Sequence, residues 1–132
     1  MADMSVIKDY IAIGARHMYD STRGVIIIKE DDNPRYPKIE VIISANNYID
    51  CFKMDCRKLG RVSPYLNDSK KGVLCMSDAV LIYRNCPNEQ DIINVVVLEM
   101  KASTFKKNEI MIKHLNSKAF VNYIAELMCI NQ

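Results

Sequence analysis

Residues 94–103, NVVVLEMKAS, join a run of aliphatic side chains directly to two charges. The four residues 95–98 predict a β-strand that is buried on both faces, yet Glu99 and Lys101 follow with no turn residue between. Because side chains alternate along a strand, Glu99 and Lys101 share one face and Met100 takes the other. A charge at the end of a core strand loses hydration and needs an opposite charge, a hydrogen-bond network or a metal instead. The stretch therefore predicts a strand that leads into a charged site.

The composition is that of one ordinary globular domain, residues 1–132. Hydrophobic residues make up 49% of the chain and charged residues 26%, which excludes a disordered protein. The formal net charge of +2 is too small to indicate a nucleic-acid-binding protein, although it leaves room for a local basic patch.

The cysteines and the N-terminal sequence bear on the cellular compartment. The five cysteines, at positions 51, 56, 75, 86 and 129, contain neither a CxxC pair nor a zinc spacing, which favours a reducing cytoplasm. The first ten residues, MADMSVIKDY, carry charges where a signal peptide needs an apolar run, and no apolar stretch approaches the roughly 20 residues of a membrane span. We expect a soluble cytoplasmic protein without membrane contact.

The hydrophobic pattern predicts a helix, several strands and a closing helix. Residues 5–19 place Val6, Tyr10, Ile13 and His17 on one helical stripe, with Ser5 as the N-cap. Further elements are a hairpin of strands 24–30 and 38–44, a strand continuation at 46–55, an irregular connection over 57–72, strands at 73–84 and 92–101, and a long helix over 108–128. This order predicts an α/β or α+β domain with a mixed central β-sheet flanked by an N-terminal and a long C-terminal helix.

Asp78 is a second charge inside a strand that is otherwise apolar. Sequential strands are usually neighbours in a sheet, so we expect Asp78 to lie close to Glu99. Two adjacent carboxylates repel each other unless a cation lies between them. Mg²⁺ suits that position, because it prefers oxygen ligands and keeps sites for water and phosphate.

Asp78 followed by Glu99-Met100-Lys101 resembles the catalytic signature of the PD-(D/E)xK nuclease superfamily. In that superfamily the Asp opens one strand of a hairpin, the acidic-x-Lys ends the next, and a helix follows. The motif covers the second half of this chain, and the order of elements extends the resemblance to nearly all of it. Three departures stand out: Ser77 replaces the Pro, the leading helix offers no Glu ligand, and His114 and Asn116 lie where some members carry a Gln.

The resemblance implies a restriction-endonuclease-like fold and a metal-dependent nuclease, more plausibly acting on DNA than on RNA. Asp78, Glu99 and the Met100 carbonyl would hold Mg²⁺ or Mn²⁺, and Lys101 would orient the attacking water or neutralise charge on the phosphoryl oxygens. One site cuts one strand, so duplex cleavage would need a homodimer or a larger complex. Two alternatives remain open: an inactive nuclease-fold module, such as an immunity partner or a non-catalytic subunit, and a structural ion pair at the strand end.

Basic residues around the trailing helix are candidate contacts for nucleic acid. Lys106, Lys107, Lys113, His114 and Lys118 could meet phosphates, as could Arg57, Lys58, Arg61, Lys70 and Lys71 of the long connection. The competing interpretation is a solvated surface for the lysines and hydrogen-bonded core positions for His17 and His114.

Overall fold

The computed structural model describes residues 3–29, 38–44, 46–54, 69–70, 75–90, 92–100, 104 and 106–131. Its strands are β1 (Tyr19–Asp20), β2 (Val25–Lys29), β3 (Lys38–Ile42), β4 (Tyr48–Lys53), β5 (Ala79–Asn85) and β6 (Ile92–Leu98). The α-helix is α1 (Lys107–Asn131), and short 3-10 helices lie at Met4–Asp9, Ile13–Ala15 and Pro87–Glu89.

The strands form two separate antiparallel sheets, in the orders β1-β2-β3 and β4-β5-β6. The predicted single mixed sheet is therefore wrong, whereas the coarser α+β assignment is confirmed. Every strand pairing among the described residues is antiparallel. Connections of eight residues or fewer join β1 to β2, β2 to β3 and β5 to β6, and these are too short for the crossover that a parallel pair needs, so the consecutive strands pair as antiparallel neighbours.

The predicted hairpin is confirmed by the pairing of β2 with β3, in which Ile26 lies opposite Val41 and Lys29 opposite Lys38. Strand β4, which the sequence left as a continuation, instead pairs with β5 in the second sheet. The predicted hairpin turn at 31–37 and most of the predicted connection over 57–72 lie outside the described residues.

The predicted N-terminal helix over residues 5–19 is wrong. Two 3-10 helices occupy part of this segment, and from Arg16 the chain is extended and bridges to Phe52 of β4. Ala12, with φ −54° and ψ 136°, has already left helical geometry, and Gly14 disfavours helix as well. Pairing with the sheet satisfies backbone groups that a continued helix would have satisfied internally. The Ser5 side chain, predicted as the N-cap, lies outside what the structure describes.

The long C-terminal helix is confirmed. Helix α1 buries Ser117, Val121, Ile124 and Met128, whose spacing of four, three and four residues places them on one face. None of the helices in the described part of the chain combines the length and apolar character that crossing a bilayer requires.

Two apolar clusters lie on opposite faces of the β4-β5-β6 sheet. Phe52 and Val80 face a cluster that includes Ile7 and Met128, so this face is covered by α1 and the N-terminal segment. Cys51 and Leu81 face the other cluster, which includes Ile26 and Ile28 of the first sheet together with Met100. The β4-β5-β6 sheet is thus the middle layer of three.

Strand β6 is an edge strand, and this corrects the prediction that residues 95–98 are buried on both faces. Val95 is 43% exposed, and Val96, Val97 and Leu98 are only partly buried. An edge strand has a neighbour on one side alone, so its side chains receive less cover than those of β5, in which residues 79–82 are buried.

Candidate functional site

The pairing of β5 with β6 brings Asp78 next to the end of β6, and the prediction that these two strands are neighbours is confirmed. Ala79, the first residue of β5, lies opposite Leu98, the last residue of β6. One residue beyond this pair, the Asp78 N–H donates to the Leu98 carbonyl at 3.0 Å. Asp78 and Glu99 therefore flank the same end of the sheet.

Alternation along the strands places both carboxylates toward α1. Val80 and Val97 contact the cluster on the helix side, whereas Ala79 and Leu98 contact the cluster between the sheets. One step further along each strand, the side chains of Asp78 and Glu99 fall on the helix side. Met100 takes the other side and is buried between the sheets.

The Asp78 carboxylate is held by the end of β6. Its Oδ2 accepts the Met100 N–H at 2.6 Å, and the Asp78 carbonyl accepts the Met54 N–H at 3.2 Å. A carboxylate that accepts a backbone N–H forms a charge-assisted hydrogen bond, which is shorter and stronger than a neutral one. Asp78 thus fixes the backbone of the residue between Glu99 and Lys101.

Glu99 forms an ion pair with the trailing helix. Its Oε1 lies 2.6 Å from Nζ of Lys113, and its side chain is only 3% exposed, against 24% for Lys113. Lys113, which the sequence offered as a phosphate contact, is therefore an ion-pair partner of the buried Glu99 in this structure. Lys101, the third residue of the predicted motif, lies outside the described residues.

The remaining basic candidates are spread over two parts of α1. Lys106 and Lys107 are exposed at its start, where Lys106 lies 3.9 Å from Glu109. His114 and Lys118 line an open groove of about 520 Å³ beside β6, together with Val95, Val96, Val97, Leu115, Val121 and Asn122.

The Nε2 atom of His114 is buried and has no hydrogen-bond partner within the described structure, so the predicted hydrogen bond is not seen at this atom. Lys70 is exposed, whereas Arg57, Lys58, Arg61 and Lys71 lie outside the description.

The donor atoms at the sheet end suit a hard cation in type. Carboxylate and carbonyl oxygens are the ligands that Mg²⁺ prefers, and Asp78, Glu99 and Met100 supply them. No cluster of three or more His, Cys, Asp or Glu residues that could hold a metal is found in the described ranges. Glu99 is paired with Lys113, so a metal ion bound by Glu99 would have to replace the Lys113 ammonium as its partner.

A second cluster of buried ionisable groups was missed by the sequence analysis. Asp50 is 2% exposed, and its Oδ1 accepts the Cys51 N–H at 2.9 Å and the Tyr48 hydroxyl at 3.4 Å. Burial raises the pKa of Asp50, against the opposing effects of the Cys51 N–H and the Arg16 charge. The signal was present in the sequence, because Asp50 interrupts the apolar run at 49–52 much as Asp78 interrupts the predicted strand 73–84, which in the structure begins only at Ala79.

His17 lies beside this cluster on an extended segment, not on a helical stripe as predicted. Its side chain is buried, which confirms a core position, and its backbone N–H donates to the Cys51 carbonyl at 2.6 Å. Burial, assisted by the nearby charge of Lys53, lowers the pKa of His17 to about 4. The imidazole is therefore neutral at physiological pH.

Comparison of the chain with protein-family models, with curated proteins and with solved structures finds no match in any of the three. Function must therefore be inferred from the residues and their arrangement.

Proposed function

We propose that this protein is a metal-dependent nuclease of the PD-(D/E)xK type that hydrolyses phosphodiester bonds in DNA. One observation carries the proposal: Asp78 and the Glu99-Met100 pair meet at one end of adjacent antiparallel strands, where Asp78 Oδ2 accepts the Met100 N–H at 2.6 Å. Buried or strongly held carboxylates at a strand end are costly in a purely structural role, and they are characteristic of functional sites.

Each residue of the motif has a distinct role in this proposal. Asp78 and Glu99, with the Met100 carbonyl, would hold Mg²⁺ or Mn²⁺. When bound, the ion supplies Lewis-acid polarisation of the scissile phosphate and an activated water. Asp78 also orients the Met100 peptide through its short hydrogen bond. Lys101 would place its ammonium near the charge that develops on the phosphoryl oxygens.

Lys113 has a role that the sequence motif does not include. A buried carboxylate without a counter-charge is strongly destabilising, and the Lys113 ammonium provides that charge at 2.6 Å from Glu99. The ammonium would thus balance the charge of Glu99 and hold its side chain in place until a divalent cation takes over as counter-charge. Its partly exposed side chain then becomes available to the substrate phosphate.

The substrate would be a nucleic-acid strand that crosses the end of the sheet and the start of α1. Lys106 and Lys107 are exposed there, and His114 and Lys118 line the groove on the β6 side of the helix. These residues would contact phosphates, which gives binding that weakens as salt increases. Cleavage of both strands of a duplex would require two copies or a larger complex, and we place this activity in the cytoplasm.

A plasmid cleavage assay tests the proposal. We expect wild-type protein to nick or cut plasmid DNA with Mg²⁺ or Mn²⁺ and to be inactive with EDTA. Asp78→Asn and Glu99→Gln should reduce cleavage to the EDTA level. Glu126→Gln is the matched control, because Glu126 is an exposed carboxylate 13 residues along α1 from Lys113, about 20 Å away at 1.5 Å per residue. Activity retained in Asp78→Asn or Glu99→Gln contradicts the proposed site.

The Glu99–Lys113 ion pair also favours a second candidate, a nuclease-fold module that binds DNA or a protein without turnover. In that case Lys113 is the permanent counter-charge of Glu99, and no divalent ion is needed. A gel-shift measurement on the same preparations separates the two functions. Duplex binding without cleavage in either metal supports the module, whereas metal-dependent cleavage supports the nuclease.

A further inference from the structure

A second cavity lies away from Asp78 and Glu99, between the extended segment 16–20 and strands β2 and β4. It is lined by residues 16–20 with Ile27, Lys29 and Lys53, and its volume is about 360 Å³. We call it the basic pocket. A phosphate group with part of an attached sugar fits in a space of this size, which is at the lower end of the range for small-molecule sites.

Positive charge dominates the lining of the basic pocket. Arg16, Lys29 and Lys53 contribute three cations, against the single carboxylate of Asp20. Asp20 Oδ1 is already engaged, because it accepts the Thr22 and Arg23 N–H groups at 3.0 and 3.2 Å. Outside the lining, the Asp50 carboxyl lies close enough to feel the charges of Arg16 and Lys8. A concave surface of this sign concentrates anions.

Two buried nitrogen atoms in the wall of the basic pocket add a second, independent indication. His17 is 7% exposed, and neither its Nε2 nor Nε of Arg16 has a hydrogen-bond partner within the described structure. A buried polar nitrogen left unsatisfied is costly, and such atoms in native structures commonly mark a missing ligand or water. An anion in the basic pocket would give His17 Nε2 an acceptor oxygen and neutralise the charge of the surrounding side chains.

We propose that the basic pocket is a phosphate-binding site, in which Arg16, Lys29 and Lys53 provide the charge and His17 provides a buried hydrogen bond. The two lysines act as point charges toward the anion, and the Arg16 guanidinium, which donates from Nη1 to the Lys8 carbonyl at 3.4 Å, adds its charge to the lining. Neutral His17 donates from Nε2 when its proton is on that atom, and a bound anion favours a second proton on the ring. The proposal does not depend on the nuclease, because none of these residues belongs to the Asp78–Glu99 site.

Titration with inorganic phosphate, followed by the imidazole signals in NMR spectra, tests the proposal. The chain has two histidines, so His17→Gln assigns the His17 signal by its loss. We expect phosphate to shift the His17 signal saturably and to raise its apparent pKa above about 4. Lys53→Met and Lys29→Met, which keep the reporter, should each weaken phosphate binding about tenfold or more, as expected when one charged hydrogen-bond donor is removed.

Lys38→Met is the matched control. Lys38 is exposed and lies opposite Lys29 in β3, but it is not part of the pocket lining, so its removal should change affinity by less than about threefold at physiological salt. A His17 signal that phosphate does not shift saturably overturns the proposal. Equal weakening by Lys38→Met and Lys53→Met also overturns it, because this would indicate non-specific attraction.

The source of the phosphate is resolved with a short DNA oligonucleotide that carries, or lacks, a 5′-phosphate. Tighter binding of the phosphorylated strand than of inorganic phosphate, lost in Lys53→Met, assigns the pocket to a strand end. Equal affinity for the phosphorylated strand and for inorganic phosphate assigns it to a small phosphate compound. Both results support a phosphate site, whereas equal shifts with and without the 5′-phosphate contradict a pocket for a terminal phosphate group.

Discussion

Asp78 fixes the end of β6 through one short hydrogen bond, from the Met100 N–H to its Oδ2. Removal of the acceptor in Asp78→Ala should lower the free energy of unfolding by about 1–3 kcal/mol, the usual cost of an unsatisfied N–H. Asp78→Asn keeps an acceptor oxygen and removes a charge near Glu99, so its stability should be close to wild type or higher. Urea denaturation in EDTA measures both variants. Equal losses would mean that the charge of Asp78, not its acceptor oxygen, stabilises the fold.

Lys113→Met tests whether the ammonium stands in for a divalent cation. The change leaves the buried Glu99 carboxylate without its ion-pair partner, so we expect a loss of roughly 3–5 kcal/mol in EDTA. If Mg²⁺ binds Asp78 and Glu99, millimolar Mg²⁺ should restore much of this stability, because ligands that bind only the folded state stabilise it.

The double variant Glu99→Gln/Lys113→Met is the control for this experiment. With no carboxylate left at position 99, its denaturation midpoint should not respond to Mg²⁺. A loss in Lys113→Met that Mg²⁺ leaves unchanged contradicts the metal site and favours a structural ion pair.

His17 should make stability depend on pH. Its pKa is about 4 in the folded protein against 6.5 for the unperturbed group, so the unfolded state binds more protons between these values. The contribution of neutral His17 is thus fully present above pH 6.5 and is lost as pH falls toward 4. The raised pKa of Asp50 has the opposite effect on the free energy of unfolding, because there the folded state binds more protons than the unfolded state. The unfolding midpoint of wild type minus that of His17→Gln, followed from pH 7 to 4, should therefore decrease; a constant difference contradicts the assigned pKa shift.

At the scale of elements, two hydrogen bonds connect α1 to the segment that precedes β5. Ser117 Oγ, fully buried, accepts the Ser77 N–H at 2.9 Å, and Asn116 Nδ2 donates to the Cys75 carbonyl at 2.8 Å. Ser77 directly precedes Asp78, so these contacts set the position of the site relative to the helix. The contacts thereby hold Lys113 of α1 close to Glu99, which directly follows β6.

We expect Ser117→Ala to destabilise the protein by about 1–3 kcal/mol, because it leaves the buried Ser77 N–H without this acceptor. Asn116→Ala should cost less, since the hydrogen bond of Asn116 is exposed to solvent and water can replace it. If the position of Asp78 depends on the Ser77–Ser117 hydrogen bond, Ser117→Ala should also reduce metal-dependent cleavage at temperatures where the variant is fully folded. Thermal denaturation and the plasmid assay measure the two effects, and an equal cost for both variants contradicts the assignment.

At the scale of the whole molecule, the β4-β5-β6 sheet contributes side chains to two hydrophobic clusters, one on each of its faces. Phe52 and Ile28 are almost completely buried, in the cluster toward α1 and in the cluster between the sheets respectively. The segment that bridges Arg16 to Phe52 also pairs Tyr19 with Ile26, and Tyr19 stacks on Tyr48 with ring centroids 5.2 Å apart. The first sheet therefore has no apolar cluster apart from the one that it shares with the middle sheet.

A shared core predicts one cooperative unfolding transition. Phe52→Ala should cost about 3–5 kcal/mol and Ile28→Ala about 2–5 kcal/mol, and each should shift helix and tyrosine signals together. The chain has no tryptophan and seven tyrosines, so tyrosine fluorescence reports on tertiary packing that includes the Tyr19–Tyr48 stack, while circular dichroism reports on α1. Two separated transitions in Ile28→Ala would show that the first sheet unfolds independently.

Local pattern was enough for several parts of this fold. The long apolar stripe of α1, the hairpin of β2 and β3, and the neighbouring strands β5 and β6 were all predicted, because helical period, strand alternation and short connections are properties of contiguous residues. The proximity of Asp78 to the end of β6 follows from the same local rules. Asp50 interrupts an apolar run in the same way, so the sequence also carries the signal for this buried carboxylate.

Other features depended on contacts between residues far apart in sequence. Residues 5–19 have a helical pattern, but pairing of Arg16 with Phe52 makes the end of this segment extended. Which strands share a sheet, the exposure of Val95 on an edge strand, and the choice of Lys113 as the partner of Glu99 are likewise set by packing. The sequence by itself therefore determined the elements and the carboxylates they carry, because periodicity and charge are local. Only the tertiary structure decided their partners, since burial and counter-charge depend on which distant segments pack against them.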